Sequence, residues 1–548
     1  MAGVVLETLS TKKLTILFLT LFLGLIGFFL IGGLIAPAPY STIISTPILC
    51  VDETGNMEQK KRAFIPRDTD ACNSVQRLDD KEIDENKIEA NQIVFSQWLP
   101  LPRNNRQLEM TPWFQTMNTV IDIKVEYDPR NELPKDRLPT IVLDTTLFVR
   151  NSQDNHTQWK EYAAAKVERS LDCKITEAEK KDPAGGYYNC DLLPFFELGS
   201  VFYNHYLINI RIPVIAKLKV NHDIGKIQDM QFITIFQNGG FTKVWFSLKT
   251  VLFPLTLSAL VWFWHRILQL SRPANLLERT LFSLGVILSI MNFPLEWFTL
   301  WTDFPAMLLV NDIREGAFYA MLMSFWLIFT GEHMMDQVER NKLSAYWKHL
   351  TAVIIGCLAL FIFDMSERGV QLSNPFFSIW ASSVGTKLAL GFIIIAGIVA
   401  CVYFFFLSYM IFRVFRNISA KSTSLAQMSS VRRKFYSGLI FRFKFLMMTT
   451  LLCAALTVIF FIISHVSEGT WKWDEDGTSL EYSSAFLTGV YGMWNMYTIA
   501  LLSLYAPSHK VTATAESLDG TREEEVQLTQ VPSEASALSA MISKTTID

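Results

Sequence analysis

Charge is what this sequence has least of. Asp, Glu, Lys and Arg supply 18% of its 548 residues and almost cancel, leaving a net charge of −3. Soluble domains carry about 25%, so long stretches of the chain are not built for water. The near balance also leaves no basic footprint, and nucleic acid, which needs Lys and Arg clustered against phosphates, is excluded as a partner. Catalytic signatures are missing as well. There is no His-Glu-x-x-His zinc helix, no Gly-x-Ser-x-Gly elbow, no glycine loop to cradle phosphate and no Cys/His spacing for a metal. The eight histidines are scattered. Glu332, His333 and Asp336 fall near one helix end, where such groups more often serve as hydrated caps than as ligands. His465 is a poor candidate for intramembrane acyl transfer. We expect no enzyme, no metal and no cofactor.

Apolar residues fill the gap. The chain is 50% hydrophobic and 13% aromatic, with positive mean hydropathy. A bilayer core of ~30 Å is crossed by about 20 apolar helical residues, and eight segments meet or approach that length. They run from Leu14 to Ala36, Val244 to Leu270, Leu281 to Leu300, Ala317 to Met335, Leu350 to Met365, Leu388 to Phe412, Phe445 to His465 and Ala485 to Tyr505, the fifth being the shortest. The first exceeds a signal-peptide core of about 7–15 residues and ends in prolines, so it reads as an uncleaved anchor. Orientation follows the basic residues of the loops. Between Arg413 and Lys444 there are eight Lys or Arg and no acid, whereas Ser467 to Ser484 holds five acids against Lys472. The first loop is therefore expected in the cytosol and the second outside it. Both termini, 1–13 and 506–548, then lie in the cytosol, residues 37–240 form a luminal domain, and 244–505 hold seven further spans. The tail is Ser, Thr and Glu rich, a composition that favours disorder.

Within the luminal segment, Ile121 to Tyr127 and Ile208 to Ile212 alternate apolar with polar residues, the period of strands with one buried face. Further runs at Ile93 to Trp98, Thr140 to Val149, Lys217 to Val220 and Met230 to Phe236 point to an antiparallel β-sandwich. Cys50, Cys72, Cys173 and Cys190 all fall here, and Cys357, Cys401 and Cys453 in apolar runs. Four cysteines allow three connectivities; nearest pairing joins Cys50–Cys72 and Cys173–Cys190. Asn155-His156-Thr157 is a glycosylation sequon on the luminal side. Asn238-Gly239-Gly240, just before the second span, reads either as a flexible linker or as a position needing glycine geometry.

Ionisable residues at membrane depth are costly and earn scrutiny. Glu296 follows Pro294, which is expected to kink its helix. Asp364 precedes Arg368 by one turn, the spacing of a helical ion pair. Aromatic and Met-rich runs, Phe318 to Trp326 and Tyr491 to Tyr497, have packing and lipid contact as their plain explanation, though soft Met and flat rings also suit an acyl-chain pocket. Tyr436-Ser437-Gly438-Leu439 fits the Tyr-x-x-apolar pattern that clathrin adaptors read as an added strand.

Several stretches together resemble the Wntless (Evenness interrupted) family, sorting receptors for lipidated Wnt proteins. They are Gln237 to Phe246, Asp312-Ile313-Arg314, Glu332 to Gln337, Phe361 to Met365 with Glu367 to Leu372, Phe441 to Met447, and Tyr505 to Lys510. The likeness spans nearly the whole chain to about Lys510. It implies eight transmembrane helices, the later ones heptahelical-receptor-like, with a luminal antiparallel β-sandwich. It implies a cargo of palmitoleoylated Wnt, whose acyl chain would enter a cavity assigned to Phe318, Tyr319, Met323, Phe325, Tyr491, Trp494 and Asn495. Tyr436 and Leu439 become an endocytic signal, with clathrin adaptor and retromer-type sorting machinery as partners beside Wnt and membrane lipids. Golgi, plasma membrane and endosomes become the route, entered through the ER. Nothing in Ser543 to Asp548 resembles the basic-acidic retrieval signal of some relatives. A secondary transporter or a G-protein-coupled-type receptor is the alternative; against a transporter, the halves show no repeat and no paired broken helices.

Overall fold

In the computed structural model the described residues are 4–53, 62–66, 70–75, 78, 88–101, 108–130, 132–134, 138–177, 179–181, 186–215, 217, 219–333, 342–381, 383–422, 430–471 and 484–508. Among them, eight helices of 17 or more residues flank and follow an all-antiparallel β domain. Helix α1 (Thr11–Leu30) ends in a π-turn at Ile31–Ile35 and leads directly into the first strand. The strands are β1 (Tyr40–Ser45), β2 (Ile48–Val51), β3 (Asn73–Val75), β4 (Ile93–Leu99), β5 (Met117–Glu126), β6 (Thr140–Arg150), β7 (Lys160–Ser170), β8 (Cys173–Lys174), β9 (Tyr187–Cys190), β10 (Leu193–Leu198), β11 (His205–Arg211) and β12 (Lys226–Gln237).

They form two six-stranded sheets, one ordered β1-β12-β5-β9-β8 with β10 also on β5, the other β3-β2-β4-β11-β6-β7. Alternation decides what faces inward. On β5 and β12, Met117, Ile121, Ile123, Val125, Met230 and Phe232 are buried in one core. Strand β11 departs from one-sided burial: His205 to Ile210 are all buried. Its outer face is covered because Phe64 and Ile65 lie over it, with Leu207 packing on Ile65 and Ser96 Oγ donating to the Phe64 carbonyl at 2.6 Å. Disulfides Cys50–Cys72 and Cys173–Cys190 brace the two sheets' margins.

The expected strand at Lys217 to Val220 is not one. Its described residues hold only an isolated bridge between Ile215 and Val220, with positive φ at Lys219 and Asn221. Asn221 locks this turn by bonding both backbone groups of Val142 and the Pro213 carbonyl.

After β12 there is no flexible linker. The Asn238 side chain accepts from the Gly240 amide at 2.8 Å, capping α2 (Gly239–Leu268) in direct continuation of the strand. Helix α3 (Leu276–Asn292) follows. Pro294 stops it rather than kinking it, and the chain resumes as a 3₁₀ turn at Leu295–Leu300. Then come α4 (Met307–Glu332), α5 (Trp347–Gln371), α6 (Ser383–Ser422), α7 (Ser430–Trp471) and α8 (Ser484–Leu504). The fifth span is 25 residues, not the shortest, because Glu367 is buried and the helix outruns its apolar stretch. Helices α6 and α7 likewise absorb most of the basic loop between Arg413 and Lys444, α6 burying Val414 and Ile418 beyond its apolar stretch.

Among the described residues, six helices are long and apolar enough to cross a membrane: α1 with its π-turn, α2, α3 with its 3₁₀ turn, α5, α6 and α7. Their outward faces present Ile355, Ile362, Ile398 and Phe405, each at least 58% exposed. Rows of bare apolar side chains on helices whose backbone is internally satisfied are what lipid requires. This is a multi-pass membrane protein. Helix α8 is different: it packs against α1, α2, α3 and α7 and is buried along most of its length.

Candidate functional site

The interior of the bundle is built on α8. Phe318, Phe325, Tyr491, Trp494 and Asn495 are each at most 4% exposed, and Tyr319 and Met323 are half-buried around them. Phe318 and Tyr319 meet Trp494 with ring centroids 5.2 and 5.4 Å apart, and Tyr491 meets Trp245 at 4.7 Å. Phe325 stands apart from this group, stacked on Phe329, while the Met323 carbonyl accepts the Tyr403 hydroxyl at 2.8 Å. Phe318, Tyr319 and Trp494 thus form one ring group, and all of the singled-out residues but Asn495 belong to or pack against a single hydrophobic cluster.

A polar string threads it. Asn292 Nδ2 donates to Asn495 Oδ1 at 2.6 Å and to Thr256 Oγ1 at 3.3 Å, and Tyr491 OH donates to Asn292 Oδ1. Trp494 Nε1 donates to Thr457 at 3.0 Å, and Trp326 Nε1 to Tyr497 OH at 3.1 Å. Buried amides and hydroxyls are thus paired between α2, α3, α4, α7 and α8, which fixes the register of the helices. Of these residues Tyr491, Trp494 and Asn495 were singled out from the sequence, as cavity residues; their partners Thr256, Asn292 and Thr457 were not.

Glu296 is 3% exposed, and its role depends on two residues that sequence reasoning missed. Lys249 of α2 donates to its Oε1, and Arg314 of α4 reaches the same oxygen at 3.2 Å. Arg314 also donates to the carbonyls of Ile290 at 3.1 Å and Phe293 at 2.6 Å, and to that of Met291. Those carbonyls end α3, where Pro294 removed their helical partners. The signal was available: a lysine inside an apolar span and an arginine at membrane depth both demand a carboxylate.

The β domain is docked on the helices at two places. Trp113 packs against Phe246 and Trp297 at 5.9 and 5.8 Å, and Gln115 Nε2 donates to Thr299 at 3.0 Å. On the other side, the loop after α5 inserts Phe376, 2% exposed, into the sandwich core against Phe195 and Phe196. Arg169 clamps it, donating to the carbonyls of Phe376 at 2.7 Å and Pro194. Burial without a carboxylate pushes Arg169 down to about 10. Arg368 reaches Glu197 of β10 and, at 3.8 Å, Asp312 of α4; Asp364 sits half-buried one turn before it on α5.

Asn155 is exposed in a turn between β6 and β7. Tyr436 to Leu439 lie inside α7, with Leu439 buried at 5% and the Tyr436 side chain outside the described residues. The motif, placed by hydropathy in the basic loop, is helical here. Asp336 and the tail from residue 509 also lie outside the described residues. Among the described residues no group of three or more His, Cys, Asp or Glu is placed to hold a metal.

Residues 48–237 match the model of the Wntless GOLD domain, and residues 238–509 match that of the Wntless-like transmembrane domain. Relatives extend along nearly the whole chain. Protein wntless homolog of Mus musculus is 51% identical over 510 residues, 93% of this chain and 92% of that protein. The Homo sapiens homolog is 49% identical over the same span. Protein wntless of Drosophila mojavensis is 46% identical over 553 residues, covering 98% of this chain and 97% of its own.

Proposed function

The chain belongs to the Wntless family, and from that premise we propose that it is the cargo receptor through which a producing cell secretes palmitoleoylated Wnt. The receptor binds its cargo in the secretory pathway, carries it through the Golgi to the surface, and returns by clathrin-dependent endocytosis and retromer-type sorting. On this reading the polypeptide crosses the membrane eight times. Helices α4 and α8 fall short of the hydropathy of the other six because they carry polar residues, among them the buried Arg314 of α4 and Asn495 of α8. The β domain is luminal, in keeping with its two disulfides, which persist only in an oxidising compartment, and both termini are cytosolic.

The observation that carries the proposal is the docking of the two family-matched parts through Phe376 and Arg169. A lipoprotein presents a folded surface and an acyl chain at once, and each exposed CH₂ of that chain costs about 0.8 kcal/mol in water. A sandwich fixed to an aromatic-lined bundle holds both. The acyl chain is assigned to the side of the bundle where Tyr319 and Met323 are incompletely buried beside Trp494 and Phe318, with Asn495, Tyr491 and Phe325 behind.

The test is removal of the receptor from Wnt-producing cells. Secretion of lipidated Wnt is expected to stop, while a Wnt mutant lacking the acylated serine is unaffected. Equal loss of both overturns acyl-dependent carriage. A photoactivatable palmitoleate on the cargo is expected to label α4 or α8 at the named residues; labelling confined to the outward faces of α5 and α6 overturns the cavity.

A further inference from the structure

Before the first span, Val5–Thr8 form one helical turn tucked under the bundle. Val4 bridges Pro507, and the Val5 amide donates to the Ala506 carbonyl at 2.9 Å. Leu6 is 4% exposed and belongs to the same packed cluster as Leu439, Phe443, Tyr505 and Ala506. Arg442 ties the segment down from α7: Nη1 donates to the carbonyls of Leu6 at 3.1 Å and Leu9 at 3.0 Å, and Nη2 to Thr11 Oγ1 at 3.0 Å. These are carbonyls that a turn so short leaves without helical partners.

Arg442 lies one turn beyond Leu439, the last residue of the tyrosine motif. An adaptor that adds the motif as a strand needs its backbone extended and its amides free. Inside α7 those amides belong to the helical ladder, and Leu439 is buried. The start of α7 is weakly made: its first turn holds no acidic residue, the exposed Arg433 opposes the helix dipole, and Gly438 is a poor helix former.

We propose that Val4–Leu9 is a latch that keeps Tyr436–Leu439 helical and the endocytic signal shut, and that its release from Arg442 lets the first turns of α7 unwind for adaptor binding. The latch rests on the cytosolic placement and endocytic reading given above.

The test uses the full chain with Leu6→Asp, reading amide hydrogen exchange over 430–440 in nanodiscs and antibody uptake in cells. Exchange is expected to quicken at least tenfold and uptake several-fold, and adding Tyr436→Ala to return uptake to the level of that substitution alone. Thr11→Val, which loses a single Arg442 contact, is expected to move both in the same direction by less, and serves where Leu6→Asp fails to reach the surface. Unchanged exchange in both variants overturns the latch. So does faster exchange with normal uptake in cells where Tyr436→Ala slows it. Unchanged uptake in Tyr436→Ala alone overturns instead the endocytic reading, leaving exchange to decide whether the segment restrains α7.

Discussion

Glu296 holds two cations, and this makes its neighbours unequal. Removing Glu296 leaves Lys249 and Arg314 facing each other in a buried site, so Glu296→Ala should cost roughly 3–5 kcal/mol and sharply reduce the folded, surface-delivered protein. Removing Lys249 leaves a neutral Glu296–Arg314 pair, and Lys249→Met, close in volume, should lie within about 1 kcal/mol of the parent. Thermal unfolding of the purified chain checks both; equal losses would contradict the asymmetry. Glu296 was visible in the sequence because a lone acid in an apolar run stands out. Its partners were not, since they come from positions 47 and 18 residues away on other helices. His205 of β11 offers a second residue-scale prediction. Trp98 Nε1 donates to its Nδ1 at 3.4 Å, and its Nε2 faces Ser152 Oγ at the same distance, an arrangement for neutral imidazole. Burial, reinforced by the charge of Arg150 and opposed by Glu109, pushes its pKa from 6.5 down to about 4. The unfolded chain therefore takes the proton first. The stability present above pH 6.5 is lost as pH falls toward 4, on the order of 2 kcal/mol. His205→Gln should flatten that part of the melting-temperature profile between pH 7 and 5, and an unchanged slope would refute it.

Close approach is the theme among the elements. Helix α1 exposes apolar side chains along most of its length yet lies tight against α8, because glycines on α8 make room for its rings. A Cβ at Gly492 would sit 2.3 Å from Phe28 and one at Gly489 2.3 Å from Phe29. Gly492→Leu should separate the two helices and destabilise the chain by about 1–3 kcal/mol, the usual range for overpacking. Gly397→Leu on α6, with nothing within 4 Å of its Cβ, should be neutral or better. Comparable thermal losses in both would mean that α8 tolerates separation from α1. Element type was legible wherever the period was long. The alternating runs at 121–127 and 208–212 became β5 and β11, and each apolar run became a helix. Ends were not legible, because burial and capping set them: α6 and α7 continue through charged residues that hydropathy alone assigns to a loop. Lys217 to Val220 looked extended, but the side chain of Asn221 closes a turn there. The same blindness made Tyr436 to Leu439 look like a free peptide, although Leu439 is buried in the bundle.

At the scale of the whole molecule, two layers of different construction keep separate cores, joined where Phe376 enters that of the sandwich. The sandwich and the bundle were each readable from their own periodicity, but nothing in the residues around Phe376 announced that this loop between two spans would complete a β core from outside. A Phe-Phe pair after a proline is no motif, and the contact joins positions about 200 residues apart, as Arg169 to Phe376 illustrates. If the proposed receptor holds a cargo's folded surface on one layer and its lipid in the other, this joint is where the two grips are kept in register. Phe376→Ala removes the buried ring at a local cost of about 3–5 kcal/mol. The sandwich keeps its own strands, its core and both disulfides, so the variant should still mature and reach the surface. Wnt secretion measured per receptor at the surface should nevertheless drop at least several-fold. Arg169→Leu should do the same by releasing the Phe376 carbonyl. Because both act on one joint, the double variant should be little worse than either single, as expected for residues sharing an interaction. Normal secretion per surface receptor in Phe376→Ala would mean that each layer grips the cargo independently. Additive losses would place Arg169 in a separate task, such as direct contact with the cargo.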